Sequence, residues 1–186
     1  MSKLIYIANV SLDGFIEDSH GKFDWTVPSD EYFAFITDVV RPCGTYLLGR
    51  RMYETMAVWE TDPTLVAQSE LTSDFARVWQ AANKVVYSTT MHEVATANTR
   101  IERSFDPDAI ADLKASAAKD LTVGGPNLAA HAFRAGLVDE CHLFIGPVFV
   151  GAGKSALPGD MRADLELLDE RRFGSGVVYV RYCVAS

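Results

Sequence analysis

Cysteine is scarce in this sequence. Its three cysteines, Cys43, Cys141 and Cys183, are widely spaced, odd in number and contain no C-x-x-C pair. That excludes a disulfide framework and reads as the reduced, mostly buried thiols of a cytoplasmic protein. The four histidines, at positions 20, 92, 131 and 142, form no H-E-x-x-H, and no zinc-ligand spacing occurs, so no metal is expected. Long apolar runs are absent, and the opening MSKLIYIANV lacks the apolar core and small-residue cleavage site of a secretory leader. A soluble cytoplasmic protein without a membrane partner is the expectation. Basic residues are also few, 17 Lys and Arg against 25 Asp and Glu, for a net charge of -8. They cluster only as the pairs Arg50-Arg51 and Arg171-Arg172, which argues against a nucleic-acid surface, because phosphate backbones need clustered cations.

What is present is the balance of an ordinary globular chain: 186 residues, 48% hydrophobic and 23% charged. That length reads as one domain, 1–186, with a sizeable core. KLIYIANV (3–10), TYLLG (45–49), KVVYS (84–88), Thr99–Arg103 and DLTV (120–123) read as strands, and VDECHLFIGPVFV (138–150) as one long strand. Helices are expected over 31–40, capped by Ser29 or Asp30, over 50–59, from Phe75, over Pro107–Lys119, and from the GGPN turn to a stop at Gly136. The stretch from Ser11 to Asp30, punctuated by Gly14, Gly21 and Pro28, reads as a long loop. Thr61–Ser73 and GAGKSALPGD (151–160) read as loops too. LELLDERRF and VVYVRYCVA, joined by GSG, read as a closing hairpin. Strands alternating with helices give an α/β fold of three layers, α/β/α, whose largely parallel mixed central sheet ends in a C-terminal antiparallel hairpin.

In such sheets ligands bind beyond the carboxyl ends of the strands. Four junctions there carry chemistry: SLDGFIE, LLGRRMYE, VVYSTT and LTVGGPN. Each also reads as plain structure. Gly124-Gly125 serves equally as a tight turn or as a close approach for phosphate, whose charge would sit on helix N–H groups. Arg50-Arg51 opens a helix, where cations are disfavoured unless an anion binds. Ser88-Thr89-Thr90 offers hydroxyl donors or a polar loop, Asp13 reads as a turn former, and Asp30 as a cap.

Together and in this order, these segments resemble the dihydrofolate-reductase superfamily. They look closest to the branch containing the C-terminal reductase domain of the bifunctional riboflavin-biosynthesis enzyme and its stand-alone bacterial relatives. SLDGFIE resembles that branch's S-x-D-G-x-I motif, LLGRRMYE resembles G-R-x-T-[WY]-E with Met52 in place of threonine, and VGGPN opens the G-G block. The resemblance implies an NADPH-dependent reductase. Gly49, Arg50, Arg51, Met52, Ser88 and Thr89 would then lie at the nucleotide phosphate. Gly124, Gly125, Pro126 and Asn127 would cradle the pyrophosphate, and Ala8 would lie by the nicotinamide. Ser11 and Asp13 would border a ribosylaminouracil substrate. Trp25 and Asp30, in FDWTVPSD, resemble instead the pterin side of true dihydrofolate reductases, so both carboxylates are catalytic candidates and both substrate classes stay open. Phe23 and Tyr53 are further candidate apolar walls. A non-catalytic nucleotide- or flavin-binding protein on the same fold is the reading from another class. A homodimer is implied by the resemblance alone.

Overall fold

The structure is a computed structural model that describes residues 2–26 and 29–185. Pro28, read above as loop punctuation, lies outside them. The strands are β1 (Leu4–Val10), β2 (Phe15–Asp18), β3 (Cys43–Gly49), β4 (Asn83–Tyr87), β5 (Thr99–Glu102), β6 (Asp120–Gly124), β7 (Glu140–Ile145), β8 (Gly153–Ser155), β9 (Leu165–Arg172) and β10 (Val178–Val184). The α-helices are α1 (Asp30–Val40), α2 (Arg50–Met56), α3 (Val58–Thr61), α4 (Pro63–Val66), α5 (Glu70–Ala81), α6 (Pro107–Ser116) and α7 (Pro126–Arg134). One eight-stranded sheet runs β5-β4-β3-β6-β1-β7-β10-β9, and β2 pairs with β8 in a separate ribbon. From β5 to β7 every pairing is parallel; β10 then runs antiparallel to both β7 and β9.

Alternation along the strands builds two cores. Tyr6, Leu47, Val85, Leu121 and Val123 face Ile110 of α6 and Leu128, Ala132 and Phe133 of α7. Ile5, Tyr46, Leu48 and Val86 face the other way, toward Tyr53 of α2 and Phe75 and Trp79 of α5. A third cluster joins Tyr32, Phe35 and Ile36 of α1 to Phe144, Phe173 and Tyr179. The central strands are therefore apolar on both faces, as parallel strands between helices must be. Each large side chain so buried stabilises the fold by about 1.5–3 kcal/mol.

Several expected loops are structured. Thr61–Ser73 holds α4 and the start of α5, because Asp62 and Ser69 are helix caps: Asp62 accepts from the amides of Thr64 and Leu65, and Ser69 closes a reciprocal box with Thr72. The 11–30 stretch contains β2, and GAGKSALPGD contains its partner β8; neither is long enough to show a periodicity. Gly153 is needed there, since a Cβ would lie 1.9 Å from the Glu17 carbonyl oxygen. The long strand 138–150 stops instead at Ile145, where Gly146 donates to the Val10 carbonyl and Pro147 can donate nothing to a ladder. Helix α6 ends at Ser116, three residues short of Lys119. Ser29, and not Asp30, caps α1, accepting from the Tyr32 amide.

The β7–β10 pair carries a buried ion cluster. Glu140, 2% exposed, accepts from Lys3 at 2.5 Å, from Arg181 at 2.8 and 3.0 Å, and bonds His142 at 2.9 Å, whose other ring nitrogen meets the Tyr179 hydroxyl. Burial alone would push the Glu140 carboxyl up, but the donors from Arg181, Lys3 and His142 outweigh it and hold it at about 2. Burial lowers the His142 imidazole below 6.5, against the pull of Glu140. In both windows the unfolded chain binds the extra proton, so stability falls on acidification. The loss begins below about pH 6.5 through His142 and continues from 4.5 toward 2 through Glu140, whose share is about 3 kcal/mol. Denaturant midpoints measured from pH 7 to 3 should therefore fall, and Glu140→Gln should start lower by about 3 kcal/mol yet flatten below pH 4.5. Parallel curves for the two proteins in that lower window would remove Glu140 as the cause.

Candidate functional site

The carboxyl ends of β3 and β6 lie side by side, and each turns at glycine into a helix. Gly49 precedes α2 and Gly125 precedes α7, the latter with φ +95, a conformation side chains avoid. A Cβ on Gly124 would come within 2.9 Å of Leu48 Cδ2 and 3.1 Å of Met52 Cγ; one on Gly125 would sit 3.8 Å from the Gly49 nitrogen. The two turns thus touch through backbone and Met52. Helices α1, α4, α5 and α6 each have a side-chain cap, whereas α2 and α7 have none. The first turn of α7, with half-buried Pro126 and exposed Asn127, therefore offers uncapped N–H groups beside a surface cleared by glycine.

Arg50 leans toward the end of β4. Its Nε donates to Glu54 at 2.7 Å and its Nη1 to Thr90 Oγ1 at 2.8 Å. Pairing with Glu54 removes part of the conflict between two arginines and a helix start. Ser88, buried at the end of β4, accepts from the amides of Thr90 and Met91, which shapes the 88–91 turn and leaves Thr89 exposed. Arg103, just past β5, clamps the same turn through the carbonyls of Ser88 and Met91. Arg51 points elsewhere, to Glu17 of β2 at 3.2 Å.

Beyond β1 lies the second half of the site. β1 pairs with β6 only through Tyr6 but with β7 as far as Val10, so half-buried Ala8 and Asn9 stand past the end of β6. Ser11 is 1% exposed; its hydroxyl donates to Asp13 at 2.6 Å and accepts from the Phe15 amide. The Asp13 carboxylate also accepts from the amides of Val150 and Gly151, the latter at 2.7 Å, fastening the β1–β2 turn to the loop after β7. The Ser11 hydroxyl holds that carboxyl below its usual range, outweighing burial, with the two amides adding to the effect. Asp13 is accordingly an acceptor with its lone pairs engaged. Asp30 is exposed on the first turn of α1. Trp25 lines a cavity of about 10 Å³ with Asn9, Thr26, Tyr32 and Gly146. Tyr53 is core and no wall: it is buried, and its hydroxyl takes the Ala95 amide at 2.8 Å.

The structure therefore joins Gly49, Arg50, Met52, Gly124 and Gly125, sets Ser88 and Thr89 beside Arg50, and joins Ser11 to Asp13. It turns Arg51 away from Arg50, toward Glu17, and sets Asp30 on the first turn of α1. Sequence reading singled out Thr90 with Ser88 and Thr89 but missed Asn9, Tyr32 and Arg103. A lone polar residue inside the apolar run IYIANV was the available signal for Asn9, and the carboxyl end of β5 the signal for Arg103.

Residues 2–179 match the RibD C-terminal domain family. The uncharacterized protein YyaP of Bacillus subtilis (strain 168) is 30% identical over 182 residues, covering 97% of this chain and 94% of that protein. Among solved structures, a protein of Shewanella sp. PV-4 provisionally assigned to riboflavin biosynthesis is 20% identical with a TM-score of 0.76, covering 99% of both chains. The deaminase and 5-amino-6-(5-phosphoribosylamino)uracil reductase of Thermotoga maritima is 12% identical with a TM-score of 0.65, covering 99% of this chain and 57% of that one. At these identities the structures share the fold, and the shared fold is that of RibD-like reductases.

Fastening by Asp13 has a direct signature. Asp13→Ala should speed hydrogen exchange at the Val150 and Gly151 amides about tenfold or more while the sheet amides keep their protection. Unchanged exchange at those two amides would remove Asp13 as the tie.

Proposed function

This chain belongs to the RibD C-terminal domain family, and on that premise we propose that it is an NADPH-dependent reductase of a small heterocycle, of the 5-amino-6-(5-phosphoribosylamino)uracil reductase type. The observation that carries the cofactor assignment is the pair of touching glycine turns. Gly124 packs without a side chain against Leu48 and Met52, Gly125 takes a positive φ, and the first turn of α7 that follows has N–H groups with no capping side chain. Those features suit a pyrophosphate, which supplies acceptors and charge and needs close backbone approach. Gly49, Gly124, Gly125, Pro126 and Asn127 would hold it, with Met52 as the floor. Arg50, flanked by Ser88, Thr89 and Thr90, would take the 2′-phosphate, and Arg103 would keep their turn in place. When bound, the reduced nicotinamide supplies the hydride.

The chain's own residues then orient and protonate. Ala8 is small enough to let a flat ring lie against the exposed end of β1. Asp13, held by Ser11, accepts from the Val150 and Gly151 amides and so ties two rim loops together. Asp13 is engaged by its donors, so Asp30 is the carboxylate of the pair left to assist proton transfer to a C=N substrate. Such proton transfer is typically worth about 10²–10⁴ in rate. We extend the proposal to a homodimer, supported by edge strand β9, where Leu165, Leu167 and Leu168 are 42, 52 and 45% exposed.

Removing the Arg50 guanidinium discriminates between nicotinamide cofactors. Arg50→Ala should weaken NADPH binding, followed by tryptophan fluorescence, about tenfold or more while leaving NADH within about twofold, because only the former carries the 2′-phosphate. Equal losses for both, or a wild-type protein indifferent to the 2′-phosphate, would defeat the NADPH assignment. NADPH consumption with the ribosylaminouracil phosphate and with dihydrofolate then tests the substrate, and turnover of dihydrofolate alone would reverse the order of the two classes.

A further inference from the structure

Asn9 is an unusual residue for its place. It sits near the carboxyl end of the central strand β1, in a register otherwise filled by apolar side chains. Tyr32, reaching up from α1, donates its hydroxyl to the Asn9 carboxamide oxygen. Tyr32 is itself held fast, 3% exposed and packed between the rings of Phe144 and Phe173. Burial pushes its phenol well above the ordinary range, so it remains a donor. The bond therefore fixes which way the amide faces: oxygen toward Tyr32, and the two amide N–H groups without an acceptor among the described residues.

The second observation is independent. The Trp25 indole nitrogen is buried and has no hydrogen-bond partner among the described residues. Buried donors are rarely left unmatched, and each exception calls for a partner. Trp25, Asn9 and Tyr32 line one cavity of about 10 Å³, room for a single oxygen-sized atom. Both residues that carry these unmatched N–H donors thus line the one cavity, and no carboxylate does; Asp30 is not among its lining residues.

We infer that Asn9, positioned by Tyr32, is a specificity-determining residue that together with the Trp25 indole receives a carbonyl oxygen of the substrate ring. The pocket so built selects a pyrimidine-2,4-dione edge over an amino-substituted pyrimidine or pterin edge. This deepens the reductase reading and rests on it. An amino group in the same place would set donor against donor, leave the buried groups unmatched and lose affinity, which is how sites built around one hydrogen-bond pattern reject its complement.

The test uses two planar ligands of nearly the same shape. 5,6-Diaminouracil carries the two carbonyl oxygens; 2,4,5,6-tetraaminopyrimidine replaces both with amines. Their binding is titrated by calorimetry, at alkaline pH where the tetraamine is neutral, on wild type, Asn9→Asp and Tyr32→Phe, with NADPH titrated separately on the same proteins. Wild type should bind the uracil at least about tenfold more tightly. Asn9→Asp, which exchanges donors for acceptors, should reverse that order. Tyr32→Phe, which frees the amide to rotate, should shrink the ratio severalfold without abolishing binding. Equal affinity for the two ligands, a preference that Asn9→Asp leaves unchanged, or no binding of either to a protein that binds NADPH would each overturn the inference. Loss of NADPH binding with the preference intact would sink the reductase reading and leave the pocket standing.

Discussion

Two strand-to-helix turns meet at the ends of β3 and β6, the second with no room or backbone freedom for a side chain, and the site depends on that approach. Gly124 meets Leu48 and Met52, and Gly125 adopts a φ that only glycine takes without strain. The contact fixes β3 against β6 at their carboxyl ends, where β6 stops and β1 continues past it. Ala8 stands open beyond the end of β6 because of this difference in strand length, at the crevice proposed for the ligands. Gly124 is required by packing, because its Cβ would enter space that Leu48 and Met52 already fill, and Gly125 is required by its backbone conformation. The N–H groups at the start of α7 follow directly on these two glycines, so the turn that packing demands also sets where those donors lie.

On either side of that crevice the chain uses different means. The β3, β4 and β6 ends offer backbone N–H groups, hydroxyls and arginine, a set fitted to an anion. The β1 and β7 ends offer an amide, an indole and aromatic walls, a set fitted to a flat polar ring. The rim between them is held by Asp13, whose carboxylate collects a hydroxyl and two amides from segments more than a hundred residues apart in sequence. A carboxylate tied in this way stabilises loop geometry and gives up availability as an acid. That trade separates the roles of Asp13 and Asp30, which residue type alone could not do.

The alternation of strands and helices, the parallel sheet and the closing hairpin were legible in the sequence because periodicity and glycine punctuation are local signals. Arg50 and the glycine block were legible for the same reason. The β2–β8 ribbon was not, because its strands of four and three residues pair across more than a hundred positions and have no pattern of their own. Helix α4 was hidden by Asp62-Pro63, which reads equally as a turn and as a cap followed by a first-turn proline. Tyr32 read as one more aromatic on a helix face. Its partnership with Asn9 is a tertiary fact, and a hydroxyl aimed at one amide oxygen leaves no trace in composition or spacing.

Electrostatics sets the last constraint. The chain carries a net charge of -8, so its mean field repels the anion proposed for the site. Arg50 and Arg51 open α2, but each is already paired with a carboxylate, Glu54 at 2.7 Å and Glu17 at 3.2 Å. These exposed pairs are individually weak and screened by salt, so they cost an incoming phosphate little to rearrange. Their larger effect is on orientation. Glu54 and Thr90 together hold Nε and Nη1 of Arg50, which leaves Nη2 as the free end of a guanidinium whose plane is already set. An arginine oriented before the ligand arrives loses less side-chain entropy on binding it. In an acidic protein, affinity for a phosphorylated ligand then comes from local pre-organisation at the ends of β3, β4 and β6, against the long-range field.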